Sequence, residues 1–384
     1  MTLPVATRLA DRFTLHTLQV LRVAAGAQVR VRARLNRLRA ELAALLARED
    51  PTTIIRPTYQ QLRTAALLDE AAKTIRAGYR GTATEVEREL RDFAEVQSEF
   101  VANSINAEAG AELATVNVPT STLRSLWKTA LIEGAPSRDW WAGQAVGLTR
   151  RFARTVRAGM ERGDSIGAII TAVRGTRDAN YTDGVMQVSQ REAEALVRTS
   201  YMSVMNAATL ENYRANDDIV QGFSWLATLD GTCPRCIALD HSSWTLEGEP
   251  FPDSPFKGPF PGIPLHFQCR CVPVPRLRSA KQMAAHVGQR KAAQLEALAA
   301  ADQAALNGHV AAQLTYAQWL TQREAEQPGF ADSILGKVRA GLWREGKLPL
   351  TRMINQNAEP LTLVELRQSV RAITADAIEK ARAA

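Results

Sequence analysis

Two stretches decide how this chain is read: Asp230-Gly-Thr-Cys-Pro-Arg-Cys236 and Pro264-Leu-His-Phe-Gln-Cys-Arg-Cys271. They hold all four cysteines of the protein, Cys233, Cys236, Cys269 and Cys271. Cysteines that merely fill a core do not cluster in this way, and in a reducing compartment the clustering favours a metal over disulfides. A C-x-x-C turn brings two thiolates to one point, and two such hooks from separate strands give tetrahedral zinc geometry. With His266 there are five candidate ligands, so a four-cysteine site and a three-cysteine, one-histidine site both fit. On a regular strand residues two apart share a face, which lets both thiols of Cys269-Arg-Cys271 point at one centre. A kinked backbone turns one of them away and brings His266 in. His241 is a sixth and weaker candidate. A closed site of this kind is structural, because catalytic zinc keeps a position for water. Disulfide bonds, or free thiols in a small core, are the alternatives. A redox role for Cys-Pro-Arg-Cys is disfavoured by the lack of a following helix to lower the thiol pKa. The segment 230–271 is too short and turn-rich to order itself by burial, and zinc binding supplies folding free energy directly.

Moving outward, the flanks of this segment change character. Gln221–Leu229 reads as a strand, and Cys269–Leu277 has a short alternating pattern. Between them, Glu247–Pro264 is rich in Pro, Gly and Phe and reads as loop. Everything else has helical periodicity. Residues 14–48 predict one long helix stopped by Pro51, with Leu35, Leu38, Leu42 and Leu45 on a single stripe. Helical spacing continues over 58–116, through Leu62, Ala65, Ala66 and Leu68 and then Val86, Leu90, Phe93 and Val96. After a linker at 116–122, a helix is expected from Ser121 to Gly134 with Leu123, Leu126, Trp127 and Leu131 inward. A short helix capped at Asp164 or Ser165 carries Ile166, Ile169, Ile170 and Val173 and ends at Gly175. Ser189-Gln-Arg-Glu192 is a capping box opening a helix to about Asn216. Beyond Ser279 an Ala/Gln-rich helix is expected to about Leu314, followed by three shorter ones. Trp140, Trp141, Trp225, Trp319 and Trp343 are taken as core anchors.

The fold class is therefore mainly α: long N-terminal helices, a helical central domain with a small β, zinc-knuckle-like insertion, and a helical C-terminal segment. The expected division is a helical N-terminal arm at 1–116, a core at 117–278 with the knuckle at 230–271, and a C-terminal region at 279–384. At 384 residues the chain can bury a sizeable core. Its richness in Ala, Leu and Arg suits helix. No apolar run approaches membrane-spanning length, and the N-terminus lacks the pattern of a secretory signal. Folding in the cytoplasm is the expectation. The net charge is +7, and residues 1–48 carry nine arginines against Asp11 and Glu41. The excess thus sits on one segment: either a solvated helix face, or a contact with an acidic partner or nucleic acid phosphates. No aromatics interleave the arginines from 22 to 48, which disfavours a base-stacking single-strand site.

These residues resemble the phage Mu F-like head morphogenesis proteins, minor capsid components of tailed bacteriophages. The resemblance begins at Arg198-Thr199, with Asn206 and Tyr213 on the same helix; spacing by seven sets 199, 206 and 213 on one face, able to pack on the knuckle. It continues through Trp225, Asp230 to Cys236, Leu239-Asp240, Pro264 to Cys271 and Pro273. In the family the position of His241 is usually Gly, so this chain departs there. A second similar stretch runs through Tyr316 to Leu320, Leu335-Gly-Lys337, Arg339, Leu342, Gly346-Lys-Leu348 and Pro360 to Leu363. Together they cover roughly 198–367.

The resemblance implies a structural protein rather than an enzyme. Such proteins associate with the portal, enter the procapsid near the portal vertex, and influence genome packaging or ejection. Scaffold or major capsid protein are further expected partners, and packaged DNA is one for residues 1–48. No membrane partner is expected. Some relatives carry a toxin domain after this module, and the short remainder past Leu363 leaves none expected here. Two other readings compete: a DNA-contacting virion protein positioned with the genome, and a zinc-dependent hydrolase. The second needs a base and an open metal position, for which Asp230, Asp240 and His241 are the nearby groups. The sequence contains neither H-E-x-x-H nor a P-loop.

Overall fold

The structure is a computed structural model. It describes residues 5–53, 56–109, 112–114, 117–228, 232–278, 282, 302–305, 308–311, 315–356, 358–362, 364–365 and 368–369. It is mainly α, with small antiparallel sheets. The first elements are α1 (Val5–Glu49) and α2 (Pro57–Ala109), joined through a 3-10 turn at Pro51–Thr53. Pro51 stands just past the end of α1, as expected from its missing N–H. Two one-turn helices, α3 (Thr120–Leu123) and α4 (Leu126–Thr129), lead into a hairpin of β1 (Leu131–Ile132) and β2 (Ala135–Pro136). The single helix expected from Ser121 to Gly134 is therefore not formed. Gly134, at φ 81°, turns the hairpin instead of ending a helix, and Leu131 is exposed. Then follow α5 (Ser137–Arg162), α6 (Ile166–Arg174) and α7 (Val185–Ala215).

The chain divides into two compact units. One is built from residues 20–94 and 124–204. Within it the leucine stripe of α1 is buried as read, from Leu35 to Leu45. The stripe of α2 is phased differently from the expectation: Leu62, Ala65 and Ala66 are exposed, and Leu67, Ala71, Ile75 and Tyr79 face inward. Val86 and Leu90 are buried as read, whereas Val96, in the other unit, is exposed. On α5, Trp141, Ala145, Leu148, Phe152 and Val156 form the inner face at helical spacing. Gly159 continues that face, and a Cβ there would come within 2.6 Å of Ile169 on α6. Ser165 caps α6 by accepting from the Ala168 N–H, and Ile169 and Val173 are its buried pair. The capping box read at Ser189 is corrected. Helix α7 begins four residues earlier, and Ser189 is a buried interior residue whose hydroxyl accepts from Arg151.

The arginines of α1 find their counter-charges within the fold. In this unit Arg30 pairs with Glu89, Arg32 with Glu194, Arg34 with Glu85, and Arg48 with Glu49 and Glu70. Arg39 lies over the ring of Tyr181. Arg8 and Arg12, which belong to the other unit, share Glu108. Exposed pairs like these add little stability each. Their relevance is to the charge balance: the carboxylates of α2 and α7 answer the basic face that the sequence isolates.

The second unit comprises residues 1–19, 95–123 and 205–384. Its centre is a three-stranded antiparallel sheet of order β4-β3-β5, with β3 at Val220–Leu226, β4 at Ser243–Thr245 and β5 at Val272–Leu277. Pro273 and Pro275 lie on β5, a flanking strand of this sheet, as a missing N–H requires. Between β3 and β4 lies the one-turn helix α8 (Pro234–Ala238). The expected Pro/Gly/Phe-rich loop follows β4, and it carries a core of its own. Phe256 and Phe260 pack on Trp244 at 6.3 and 5.4 Å, Phe260 also meets Phe223 at 4.9 Å, and Trp244 Nε1 donates to the Gly258 carbonyl. The expectation that this segment cannot order itself by burial is thus corrected: its aromatics bury against the sheet. Gly222 on β3 makes room for them, since a Cβ there would sit 2.6 Å from the Phe251 ring and 2.2 Å from the Trp244 carbonyl oxygen.

C-terminal to the sheet, Asp302–Ala305 (β6) and Gly308–Ala311 (β7) pair as a hairpin. These residues are strand, not part of the Ala/Gln-rich helix expected to Leu314; the rest of that expectation falls mostly outside the described residues. Three short helices follow as expected: α9 (Tyr316–Glu326), α10 (Phe330–Leu335) and α11 (Lys337–Arg344). Thr315 and Gln318 form a capping box at the start of α9. Trp141, Trp225 and Trp319 are buried as expected, Trp140 and Trp343 are half-buried, and Trp127 and Trp244 are further buried tryptophans.

Candidate metal centre

The two cysteine-bearing stretches meet. Cys233 stands at the N-cap of α8, whose first residue is Pro234, and this turn sets Cys233 and Cys236 on one side. A short helix does follow C-P-R-C, contrary to expectation, but it is a single turn of five residues. The partner hook, His266 to Cys269, is closed by the Cys269 N–H donating to the His266 carbonyl at 3.1 Å. Gln268 supplies the bend at φ 64°.

His266 Nε2 lies 3.0 Å from Cys233 Sγ and 3.2 Å from Cys236 Sγ. Cys236 Sγ lies 3.7 Å from Cys269 Sγ. Among the described residues two ligand-type groups form, Cys233 with Cys236 and His266, and Cys236 with Cys269 and Cys271, each with atoms within 4.8 Å of one another. Cys236 belongs to both. All four cysteines are free thiols, and all but Cys233 are buried. The five residues singled out from the sequence are thus brought together, and the disulfide alternative is not realised.

The electrostatics are those of crowded sulfur. Accepting from Cys236 and His266 brings the Cys233 thiol down to about 4, and the contact with Cys233 raises His266 to about 9. Cys269 is lowered by the hydrogen bond from Cys236. Cys236 is pushed up, first by its bond with Cys233, and Cys271 by burial. A thiolate beside an imidazolium is also the pattern of a nucleophile. Here the imidazole reaches two thiols at once, and further thiols crowd behind them, which is the arrangement of a ligand set. The fit to zinc is direct: metal–sulfur bonds of about 2.3 Å set tetrahedral sulfurs roughly 3.8 Å apart, close to the Cys236–Cys269 separation.

Asp240 and His241 are not part of this cluster. Asp230 lies outside the described residues. Asp240 is buried and committed to backbone, accepting from Ala227 N–H at 2.9 Å and Tyr316 N–H at 3.2 Å. His241 has φ 59° and lies 3.6 Å from Asp240 through Nε2. That left-handed backbone is the conformation Gly adopts freely, which accounts for a position where the resembled family usually has Gly.

The knuckle is clasped on two sides. Asn206 Nδ2 donates to the Cys271 carbonyl and Tyr213 Oη to that of Pro273, so α7 holds the strand leaving the cluster. Thr199, the third residue of the sevenfold series, bonds its own helix at Ala195. On the other side Ile237 is buried among Tyr316, Trp319, Leu320, Leu335 and Leu348, and Arg235 Nε donates to the Ala358 carbonyl. Sequence reasoning missed Arg235 and Ile237, although an apolar residue directly after the second cysteine was the available signal.

A mainly helical chain with a thiol and imidazole cluster on a small sheet is the class so defined. Residues 150–274, about a third of the chain, match the family model described as Phage Mu protein F like protein. Over that third the chain is similar to the phage Mu F-like family, in agreement with the resemblance read from the sequence. No curated protein and no solved structure matches it. Among the described residues no helix is long and apolar enough to cross a membrane.

Proposed function

We propose that this protein is a structural minor capsid component of a tailed phage that associates with the portal and acts in head morphogenesis and genome packaging or ejection. The observation that carries the reading is the clasp: the thiol cluster inside the family-matched segment joins α7 to the C-terminal helices. Zinc held by Cys233, Cys236, His266, Cys269 and Cys271, four of them at a time, is the metal this donor set fits. It would be structural, since four protein ligands leave no position for water.

The reading is of a non-enzymatic protein. Asp240, the described carboxylate closest in sequence to the C-x-x-C hook, is spent on two backbone N–H groups. Localisation in the virion near the portal vertex follows from the same reading, with scaffold or major capsid protein as further partners. Contact between residues 1–48 and packaged DNA is the lesser part, because several of those arginines are paired within the fold. The test is co-expression with the portal protein of the same phage and co-purification through a tag on either. Recovery of a stoichiometric complex is expected. A chain that never associates with portal or procapsid overturns the reading.

A further inference from the structure

Five donors surround the cluster, and a tetrahedral ion takes four. The geometry points to a three-cysteine, one-histidine centre: Cys233, Cys236, His266 through Nε2, and Cys269 hold the metal, and Cys271 stays a thiol outside it. This rests on the reading that the site is a metal centre at all.

Backbone geometry separates Cys269 from Cys271. Cys233-x-x-Cys236 and His266-x-x-Cys269 are matching hooks, each turned by a backbone hydrogen bond, Ile237 N–H to Cys233 carbonyl and Cys269 N–H to His266 carbonyl. Paired hooks of this spacing present two ligands each to one point. Cys271 instead borders regular strand. The next residue, Val272, is in register with Leu226, and the Cys271 carbonyl is held by Asn206. Its position is thus dictated by the sheet and by α7.

The imidazole is also oriented as a ligand. Its Nδ1 lies 2.7 Å from the Phe267 carbonyl oxygen, which fixes a proton on Nδ1 and makes Nε2, facing Cys233 and Cys236, the nitrogen that would bind a metal once the ion displaces its proton. Metal-binding histidines are generally fixed in this way by the nitrogen that does not bind. His266 groups with both thiols of the first hook, while Cys269 and Cys271 both group with Cys236, so it is the hook and strand geometry that separates those two.

The experiment uses the full-length protein, purified without chelator and loaded with zinc alone. X-ray absorption at the zinc edge should give three sulfurs at about 2.3 Å and one nitrogen at about 2.0–2.1 Å. Four sulfurs overturn the assignment while leaving the metal reading intact. A wild-type protein that holds no zinc overturns both. Cys271→Ser should keep one zinc per chain with an unchanged coordination shell, and loss of zinc in this variant counts against the assignment. His266→Ala should fall below stoichiometric zinc, and His266→Cys should regain it with four sulfurs. Full zinc retention by His266→Ala sinks the proposal. The absorption measurement on the unmutated chain decides the matter even where a variant fails to fold.

Discussion

The Asp240 carboxylate accepts the N–H of Tyr316, the first residue of α9, across 76 residues of chain. A helix leaves its first N–H groups without partners inside the helix. Asp240 satisfies one of them from a distant loop while its other oxygen holds Ala227 at the end of the central strand. One buried side chain thereby sets the C-terminal helices against the knuckle.

Replacing Asp240 by Ala leaves two buried N–H groups without an acceptor. At about 1–3 kcal/mol for each stranded group, the loss should be on the order of 2–6 kcal/mol. Asp240→Asn keeps an acceptor and should lose less than half of that. Urea unfolding followed by tryptophan fluorescence checks both, and an Ala variant with the wild-type midpoint contradicts the role.

Tyr213 is fully buried and donates to the Pro273 carbonyl at 2.9 Å. Tyr213→Phe preserves the ring packed beside Phe13 and removes only the donor. A loss of about 0.5–1.5 kcal/mol is expected, with the fold retained by circular dichroism. A larger collapse would mean that the hydroxyl does more than hold this strand.

Ile237 is an apolar contact between the cysteine loop and the C-terminal helices. Truncating it to Ala should cost about 2–5 kcal/mol, the usual range for emptying a packed aliphatic site. Limited proteolysis should then cut first between residues 316 and 353. Unchanged protection of that region would show that the helices fold without the knuckle.

Glu324 accepts the N–H groups of Ala331 and Gly329 and the Arg344 guanidinium, and these hold its pKa down to about 2 from 4.5. A carboxylate lowered on folding stabilises the native state above its unfolded pKa and ceases to do so as pH falls through the folded value. The stability owed to Glu324 should therefore be complete above pH 4.5 and fade between there and about pH 2. Glu324→Gln should flatten the acid limb of a melting-temperature profile in that window. An unchanged limb argues against the contact.

The cluster was legible because chemistry concentrates there: cysteine and histidine spacing is read residue by residue and does not depend on distant packing. Strand and helix identity was legible where periodicity ran long, as in α1. It failed where a partner decided the outcome. The phase of the α2 stripe depends on which face α1 presents, and Leu62 and Leu67 are equally apolar. Ser189 carries the signature of a cap, yet its hydroxyl is satisfied by Arg151, whose approach no local pattern announces. The loop after β4 looked unable to order itself because it is short and turn-rich, and nothing local shows where its Phe side chains meet. They converge on Trp244 only once the sheet exists.

The distances along the chain between the knuckle and its supports bear on the order in which the protein becomes complete. Asp240 waits for Tyr316, and Arg235 for Ala358, 123 residues downstream. On a ribosome the loop emerges well before either support, and Ile237 meets water until the last helices are made. Closing such long loops is slow relative to local helix formation. The stretch from Tyr316 to Ala358 thus acts as the latch of a module that precedes it, and a translation product truncated before it would carry the cysteines without the means to shelter them.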